Sequence, residues 1–258
     1  MKTLAIYSNK GGVGKTAAAV NLAYLAAQAG ANTLICDLDP QGSATYYFRV
    51  KPKLKTKAKG FVKSNKWVDR SIKGTDYENL DLLPADLTHR NLDIIFNDLK
   101  HSKHRLEVIL KPLKDEYDLI ILDSPSTINL LAENILNAAD YVFVPLIPTT
   151  LSVRTHQQLL GFCQKQKYDA KKIYTFFSLV DRRKKLHKET MASVAAEQKR
   201  VLESMIPYAS LVEQMGLERE PVAAFSPNSA AAKAYQALWA EIAQVTSTWA
   251  IAGTGKGG

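Results

Sequence analysis

The chain has 258 residues, of which 46% are hydrophobic, enough for one large domain with a sizeable core. Its 34 Lys and Arg against 25 Asp and Glu give a formal net charge of +9, which is unusual for a metabolic enzyme and indicates a polyanionic partner. The sequence contains no run of about eighteen apolar residues and no N-terminal signal, so we expect a cytoplasmic protein rather than a secreted or membrane-spanning one.

Apolar runs alternate with helical patterns along the chain, which is typical of β-α-β units. Strands are predicted near residues 3–8, 32–38, 80–83, 118–123, 141–145 and 173–180. Helices are predicted near residues 15–29, 89–99, 104–115, 129–138, 151–166 and 187–204, with a last helix after Pro227 that Asn228 or Ser229 caps. The sequence shows no internal repeat and no second domain.

The first predicted strand is followed by the run Lys10-Gly11-Gly12-Val13-Gly14-Lys15-Thr16. It fits the P-loop pattern GxxxxGK[ST] only if the first glycine is waived, because position 9 is Asn, and it adds a second lysine, Lys10. A strand, a glycine-rich turn and a helix place backbone N–H groups around a phosphate, while Lys15 reaches the β- and γ-phosphates and Thr16 ligates Mg²⁺. The alternative is a glycine turn that happens to contain lysines. The register of strand, turn and helix favours a nucleoside triphosphate site.

Carboxylates end two of the predicted strands. Asp37 and Asp39 stand two apart in the run DLDPQG, so both side chains point the same way, and the carboxyl ends of parallel strands face the ligand crevice. Asp123 follows four apolar residues, in the manner of a Walker B strand whose carboxylate holds Mg²⁺ through a water. The alternative for the first pair is that both carboxylates cap the turn before Pro40.

Two further patterns are interpreted as structural. Cys36 and Cys163 lie far apart in apolar stretches and are expected as buried free thiols. The last predicted helix carries an apolar stripe at helical period, interpreted as core packing with a binding surface as the alternative. The stripe comprises Tyr235, Leu238, Trp239, Ile242, Val245 and Trp249.

The run KGGVGKT with its extra lysine resembles the deviant Walker A motif of the ParA/MinD family of ATPases. The resemblance continues through DLDPQG, Asp123-Ser124-Pro125, Pro145–Thr149, Asp181-Arg182-Arg183 and Phe225–Ser229, and covers roughly residues 1–246. It implies an α/β fold with a doubly wound, mostly parallel sheet and helices on both faces. We expect one domain over residues 1–250, a flexible tail over 251–258, and ATP with Mg²⁺ as cofactors.

The resemblance also implies roles for individual residues. Lys10, Lys15 and Asp39 are the expected catalytic residues: Lys10 crosses a dimer interface to the partner's nucleotide, and Asp39 orients the attacking water. Thr16, Asp37 and Asp123 are expected at the metal. The nucleotide is expected to be held by Gly11, Gly12, Val13, Gly14, Lys15, Thr16, Ala17 and Pro227.

Two departures from the family pattern concern the nucleotide, and a third is that Tyr208-Ala209-Ser210-Leu211, after Pro207, lacks the second arginine that the family has there for DNA. Ala17 stands where the family commonly has a hydroxyl residue that contacts the α-phosphate, so nucleotide affinity is expected to be modest. Ser126 stands where a second proline usually follows Pro125, in a loop that senses nucleotide state.

ParA-type members bind DNA without sequence preference, whereas MinD-type members bind membrane through a C-terminal basic amphipathic helix. Residues 238–252 contain no Lys or Arg, which disfavours such an anchor. Cations concentrate instead in residues 49–73, with ten Lys or Arg and one acid, and in Arg182-Arg183-Lys184-Lys185. Residues 182–185 are the predicted DNA contacts, because each phosphate contact adds salt-sensitive affinity. For residues 49–74, a solvated charged loop is the alternative to DNA binding.

The expected function is an ATP-dependent dimerising switch that positions or partitions a cargo: a plasmid, a chromosome region, a chemoreceptor cluster or a bacterial microcompartment such as the carboxysome. Its expected partners are a second copy of itself, non-specific double-stranded DNA and a stimulating adaptor protein on the cargo, with no membrane. The expected location is cytoplasmic and nucleoid-associated. One alternative is a MinD-like membrane-cycling ATPase. The other is a metabolic or redox enzyme on the same fold.

Overall fold

The computed structural model describes residues 1–51, 68, 70–85, 92–97, 99 and 101–247. The strands in these residues form one eight-stranded sheet in the order β3-β4-β2-β5-β1-β6-β7-β8. Neighbouring strands are parallel except β3 and β4, which are antiparallel. The predicted mostly parallel sheet is therefore confirmed. The strands are β1 Lys2–Ile6, β2 Thr33–Asp37, β3 Lys73–Gly74, β4 Leu80–Leu83, β5 Leu119–Asp123, β6 Tyr141–Leu146, β7 Ile173–Val180 and β8 Val201–Pro207.

Helices cover both faces of the sheet. The α-helices are α1 Lys15–Gln28, α2 Ser43–Tyr47, α3 Leu92–Asn97, α4 Arg105–Leu110, α5 Leu130–Ala138, α6 Thr150–Lys165, α7 Lys185–Glu197, α8 Ser210–Glu218, α9 Val222–Phe225 and α10 Ala230–Thr246. Short 3₁₀ helices span Ser102–His104, Lys111–Asp115 and Ala170–Lys172. One apolar core joins α1 and α10 to the sheet, and a second joins α4, α5 and α6 to its opposite face.

The central strands explain why the sheet is parallel and buried. Every residue of β2 and β5 is buried, so these strands lie under helices on both faces and their apolar runs need not alternate with polar residues. The carboxyl ends of β1, β2, β5, β6 and β7 meet at one edge of the sheet, because these strands are parallel. That edge carries the loops in which the predicted site residues lie.

One predicted helix is partly wrong. The helix predicted over residues 187–204 ends at Glu197, and Gln198 takes an extended conformation before β8 begins at Val201. β8 pairs with β7 along the edge of the sheet, and Leu202 and Ile206 are buried against the core. Tertiary packing thus overrides the helical pattern.

Short elements were not predicted. The missed elements are β3, α2, α8 and α9. The helix predicted over residues 104–115 is broken, because Pro112 has no N–H to donate and the chain continues as a 3₁₀ helix after Leu110. The helix predicted over residues 89–99 is described only between Leu92 and Asn97.

The structural interpretations of the cysteines and the last helix agree with the packing. Cys36 and Cys163 are buried free thiols. Ser229 caps α10, and the stripe residues Tyr235, Leu238, Trp239 and Ile242 are buried. Trp249 and the predicted tail over 251–258 lie outside the described residues, so the domain boundary at residue 250 stays a prediction. In the described part of the chain, no helix has the length and apolar character to cross a membrane.

Candidate functional site

The P-loop run follows β1 and leads directly into α1. Gly14 occupies the N-cap position of α1 with φ 87°, a left-handed conformation that favours glycine. A Cβ at Gly14 would also lie 3.0 Å from Oγ of Ser178 at the end of β7, so the loop packs closely against the sheet. No side chain caps the start of α1, and its first turn carries no acidic residue. The first N–H groups of the helix thus point to a site that suits an anion.

Both lysines of the run donate hydrogen bonds to hydroxyl groups from distant parts of the chain. The Lys15 ammonium donates hydrogen bonds to the Lys10 carbonyl oxygen, at 3.3 Å, and to Oγ of Ser126. The Lys10 ammonium donates a 2.7 Å hydrogen bond to Oγ of Ser152 in the first turn of α6. Burial lowers the pKa of Lys15, while the carboxylates of Asp123 and Asp39 oppose this shift.

Asp37 and Asp123 face each other at the ends of adjacent strands. They are paired in the register of β2 and β5, and both are fully buried. One Asp37 oxygen accepts hydrogen bonds from the backbone N–H and the hydroxyl of Thr45, at 2.8 and 2.7 Å. Among the described residues, Asp37 Oδ1 and both oxygens of Asp123 have no hydrogen-bond partner. Burial raises the pKa of Asp37 to about 6 and also raises the pKa of Asp123.

These unpartnered oxygens fit a hard cation. A buried carboxylate without a partner is costly, and Mg²⁺ takes one or two protein carboxylates together with phosphate and water ligands. The hydroxyl of Thr16 and the positive charge of Lys15 oppose the rise in the pKa of Asp123. No cluster of three or more His, Cys, Asp and Glu side chains that could hold a metal occurs in the described ranges. The donor set therefore suits a metal that arrives with a phosphate ligand.

Asp39 lies in the turn after β2 and is partly exposed. Its Oδ1 accepts a 2.9 Å hydrogen bond from the Gln41 N–H, and its carbonyl oxygen accepts one from the Gly42 N–H. Asp37 likewise binds the first turn of α2 through Thr45. Both carboxylates thus bind groups that follow Pro40, Asp39 in the turn and Asp37 in α2, and neither contact decides between the catalytic and the structural interpretation.

The predicted DNA residues lie after β7, at the same edge of the sheet. Arg182, Arg183, Lys184 and Lys185 are exposed. Arg183 forms a two-pronged ion pair with Asp181, with both nitrogen–oxygen distances at 3.0 Å, and this holds the pKa of Asp181 at about 2. The ammonium nitrogen of Lys185 lies 3.6 Å from Oε1 of Glu189, within ion-pair distance. Within the described residues, Arg182 and Lys184 make no ion pair.

Two further parts of the predicted site are Pro227 and the lysine-rich segment. Pro227 is exposed between α9 and α10, and its carbonyl oxygen accepts a 3.4 Å hydrogen bond from Gln236. Residues 52–67 of the lysine-rich segment lie outside the described residues. Three contacts were not predicted from the sequence: Ser126 with Lys15, Ser152 with Lys10, and Thr45 with Asp37. The replacement of an expected proline by Ser126 was the one available signal.

Known proteins share this sequence pattern. Residues 1–176 match a protein-family model described as an AAA domain. The virulence plasmid ParA family protein pGP5-D of Chlamydia psittaci is 30% identical over 244 residues, which cover 94% of each chain. The sporulation initiation inhibitor protein Soj of Bacillus subtilis (strain 168) is 30% identical over 248 residues, covering 94% of this chain and 98% of Soj.

Solved structures share the fold. A putative plasmid partition protein from Borrelia burgdorferi B31, bound to AMPPNP, is 26% identical with a TM-score of 0.80, over 95% of this chain and 99% of that one. Cobyrinic acid a,c-diamide synthase from Mycobacterium smegmatis, with bound ATP analog and magnesium, is 25% identical with a TM-score of 0.79, over 96% of each chain. The bound species agree with the expected ATP and Mg²⁺. The family match, the two relatives and the shared fold together establish that the chain belongs to the ParA/MinD family of deviant Walker A P-loop ATPases.

Proposed function

We propose that this chain is an ATP-dependent dimerising switch that positions or partitions a cargo. It binds ATP with Mg²⁺, pairs with a second copy, binds DNA without sequence preference, and hydrolyses ATP slowly until an adaptor protein on the cargo stimulates it. One observation carries the proposal: the P-loop lysine Lys15 interacts electrostatically with Asp123, and Asp123 faces Asp37 across β5 and β2, with three buried carboxylate oxygens of the two residues lacking a hydrogen-bond partner among the described residues. This combination fits a phosphate chain with its metal.

The proposed nucleotide contacts come from the loop and the start of α1. Backbone N–H groups of the run Gly11–Gly14, Thr16 and Ala17 bind phosphate oxygens, and the ammonium of Lys15 binds the β- and γ-phosphates. Thr16, Asp37 and Asp123 hold Mg²⁺, which neutralises phosphate charge when bound. Pro227 is proposed to lie beside the adenine base of the nucleotide.

Asp39 is the proposed positioning group for hydrolysis. Its carboxylate accepts a hydrogen bond from a water whose oxygen forms a bond to the γ-phosphorus, while the bond from that phosphorus to the bridging oxygen breaks. The products are ADP and inorganic phosphate. The partial exposure of Asp39 supports this role, since water reaches a partly exposed carboxylate.

The surface around the P-loop supports pairing with a second copy. Four exposed large apolar residues follow the carboxyl ends of β5, β6, β7 and β8: Ile128, Leu151, Leu186 and Tyr208. Single exposed apolar residues are ordinary, but these four share the sheet edge that carries the phosphate loop. A second copy placed over this edge would bring the partner subunit's Lys10 toward the bound nucleotide.

The exposed cations after β7 support DNA binding. Arg182 and Lys184 are exposed and make no ion pair within the described ranges, so both are free to contact phosphates. Dimerisation places two copies of this loop on one assembly and doubles the number of phosphate contacts. Non-specific binding of this kind would keep the protein in the cytoplasm on the nucleoid until hydrolysis separates the dimer.

The decisive experiment compares binding to a random-sequence duplex at moderate salt without nucleotide, with ADP and with ATP. We expect tight binding only with ATP, and its loss in Lys10→Ala, which keeps Lys15 for nucleotide binding. Binding in every state would contradict the switch. If the ATP state bound anionic liposomes instead of DNA, the MinD-like alternative would replace this proposal. ATP turnover that requires a small acceptor molecule would indicate a metabolic enzyme.

A further inference from the structure

Ser126 occupies an unusual place beside the phosphate loop. It follows Pro125 in the loop after β5, and its Oγ accepts the hydrogen bond from the Lys15 ammonium. A Cβ on Gly11 would lie 3.9 Å from the same oxygen, so the Ser126 hydroxyl also faces the beginning of the loop. The hydroxyl therefore lies between the lysine and the backbone of the candidate phosphate site.

The hydroxyl proton of Ser126 is available for another partner. An ammonium group has no lone pair, so Ser126 acts only as the acceptor in its bond with Lys15. Among the described residues, Ser126 Oγ donates no hydrogen bond. A hydroxyl that accepts a hydrogen bond from a lysine can still donate its own proton in a hydrogen bond, which suits a site that binds an anion next to that lysine.

The loop does not need Ser126 as an anchor. Ser124 Oγ donates a 2.6 Å hydrogen bond to the Ile6 carbonyl oxygen, and Tyr7 Oη donates a 2.7 Å hydrogen bond to the Thr127 carbonyl oxygen. Both contacts tie the loop to β1 or to the residue after it, on either side of Ser126. The contact between Ser126 and Lys15 is thus additional to what holds the loop in place.

We propose that Ser126 donates a hydrogen bond to the γ-phosphate of ATP and so favours ATP over ADP. This inference rests on the proposed function. Lys15 extends from the start of α1 toward the Lys10 carbonyl oxygen, and Ser126 meets it at that end, away from the helix. The helix end of a P-loop serves the inner phosphates, and the lysine tip serves the β- and γ-phosphates. A donor at the lysine tip reaches the β- or the γ-phosphate. Only a contact with the γ-phosphate, which ADP lacks, favours ATP, and the comparison of AMPPNP with ADP distinguishes the two contacts.

The test compares the affinities of the full chain for AMPPNP and for ADP, each with Mg²⁺, by calorimetry. We expect Ser126→Ala to weaken AMPPNP binding by roughly ten- to a hundredfold, since a hydrogen bond to a charged group is lost, and to change ADP binding by less than about twofold. Ser126→Thr keeps the hydroxyl and should restore most of the affinity for AMPPNP. Thr127→Ala, which removes an exposed hydroxyl from the same loop, is the matched control and should leave both affinities unchanged.

Three results would overturn the inference while leaving the proposed function intact. Equal weakening of both nucleotides would mean that Ser126 only shapes the loop. Tighter binding of both nucleotides would mean that Ser126 only occupies Lys15 until a nucleotide arrives. Unchanged binding of both would mean that its hydroxyl contacts neither. Failure of the parent chain to bind either nucleotide would overturn the proposed function together with this inference.

Discussion

Lys10 and Ser152 are joined within one chain by a 2.7 Å hydrogen bond from the ammonium to the hydroxyl oxygen. Ser152 is buried, and its oxygen also accepts a 3.0 Å hydrogen bond from the Thr149 hydroxyl. The lysine that is proposed to act across a dimer interface is thus bound to its own α6 in the single chain. In the proposed dimer, Lys10 would exchange this contact for one with the partner's nucleotide.

We therefore expect Ser152→Ala to favour the ATP-bound dimer. Loss of the contact removes a competitor for Lys10, so the protein concentration at half dimerisation should fall by roughly three- to tenfold, as estimated from the net value of one hydrogen bond. Light scattering at fixed ATP concentration measures the change. Thr155→Ala, on the same helix with its hydroxyl bonded to Leu151, is the matched control. Weaker dimerisation of Ser152→Ala would contradict this account of Lys10.

Two variants of Asp39 distinguish its contribution to the stability of the turn from its proposed role in ATP hydrolysis. Asp39→Ala should reduce ATP turnover by about a hundredfold or more and accumulate an ATP-bound dimer, because the attacking water loses its orienting carboxylate. Asp39→Asn keeps an oxygen that accepts from the Gln41 N–H but removes the negative charge. Both variants should therefore lose turnover while Asp39→Asn keeps the turn. Parental turnover in Asp39→Asn, measured by phosphate release, would refute the assigned role.

The two adjacent arginines should contribute unequally to DNA binding. Arg182 makes no ion pair among the described residues, whereas Arg183 is paired with Asp181. Arg182→Glu should therefore weaken ATP-dependent DNA binding more than Arg183→Glu does, and should lower the dependence on salt by about one phosphate contact. Asp181→Asn, which releases Arg183, should strengthen binding. Fluorescence anisotropy across a salt series measures all three. If DNA binding survives the double variant Arg182→Glu with Arg183→Glu, the site lies elsewhere, with residues 49–74 as the next candidate.

Asn21 is a buried polar link between α1 and two later helices. Its amide donates to the Ala17 carbonyl oxygen at 2.8 Å and contacts Met215 Sδ, while its oxygen accepts from the Ala223 N–H at 3.1 Å. Asn21→Ala leaves that N–H without a partner and opens a cavity, so the free energy of unfolding should fall by about 2–4 kcal/mol. Gln28→Ala, an exposed position on the same helix, should change it by less than about 0.5 kcal/mol. Urea denaturation measures the free energy of unfolding of both variants. If Asn21→Ala lowers it by as little as Gln28→Ala does, Asn21 does not link the helices.

The burial of His156 leads us to expect that the free energy of unfolding depends on pH. It is buried between α6 and β7, and its Nε2 lies 3.1 Å from both Gln198 Oε1 and Thr175 Oγ1. Burial lowers its pKa below the ordinary 6.5, while the bond with Gln198 opposes the shift. The unfolded chain therefore binds a proton more readily than the folded one. Its contribution to stability is present above pH 6.5 and is lost as the pH falls through the lower folded pKa.

The corresponding measurement is the free energy of unfolding at pH 7.5 and at lower pH for the parent and for His156→Gln. The variant should lose less stability on acidification than the parent does. His187, whose pKa is also lowered, is present in both proteins and cancels in the comparison. His101→Asn, at an exposed position with positive φ, should match the parent. An equal pH dependence in the parent and His156→Gln would show that His156 is not held neutral.

Short-range patterns were sufficient for the phosphate loop and the carboxylates. The order of strand, glycine turn and helix around Lys15 is set by consecutive residues, so it could be predicted together with the strand ends at Asp37 and Asp123. The run of apolar residues in β5 likewise indicated a buried strand. The edge strand β8 could not be predicted, because its residues continue the helical pattern of α7 and only pairing with β7 makes an extended chain favourable.

The sequence by itself determined the family, the phosphate loop and which carboxylates end strands, because these depend on residues adjacent in the chain. Only the tertiary structure decided that β2 and β5 are neighbours, which places Asp37 opposite Asp123. It also decided that hydroxyl groups 111 and 142 residues away, on Ser126 and Ser152, hold Lys15 and Lys10. The physical reason is that contacts across such separations arise from the order of strands in the sheet and the packing of helices on it, which no local spacing of residues specifies.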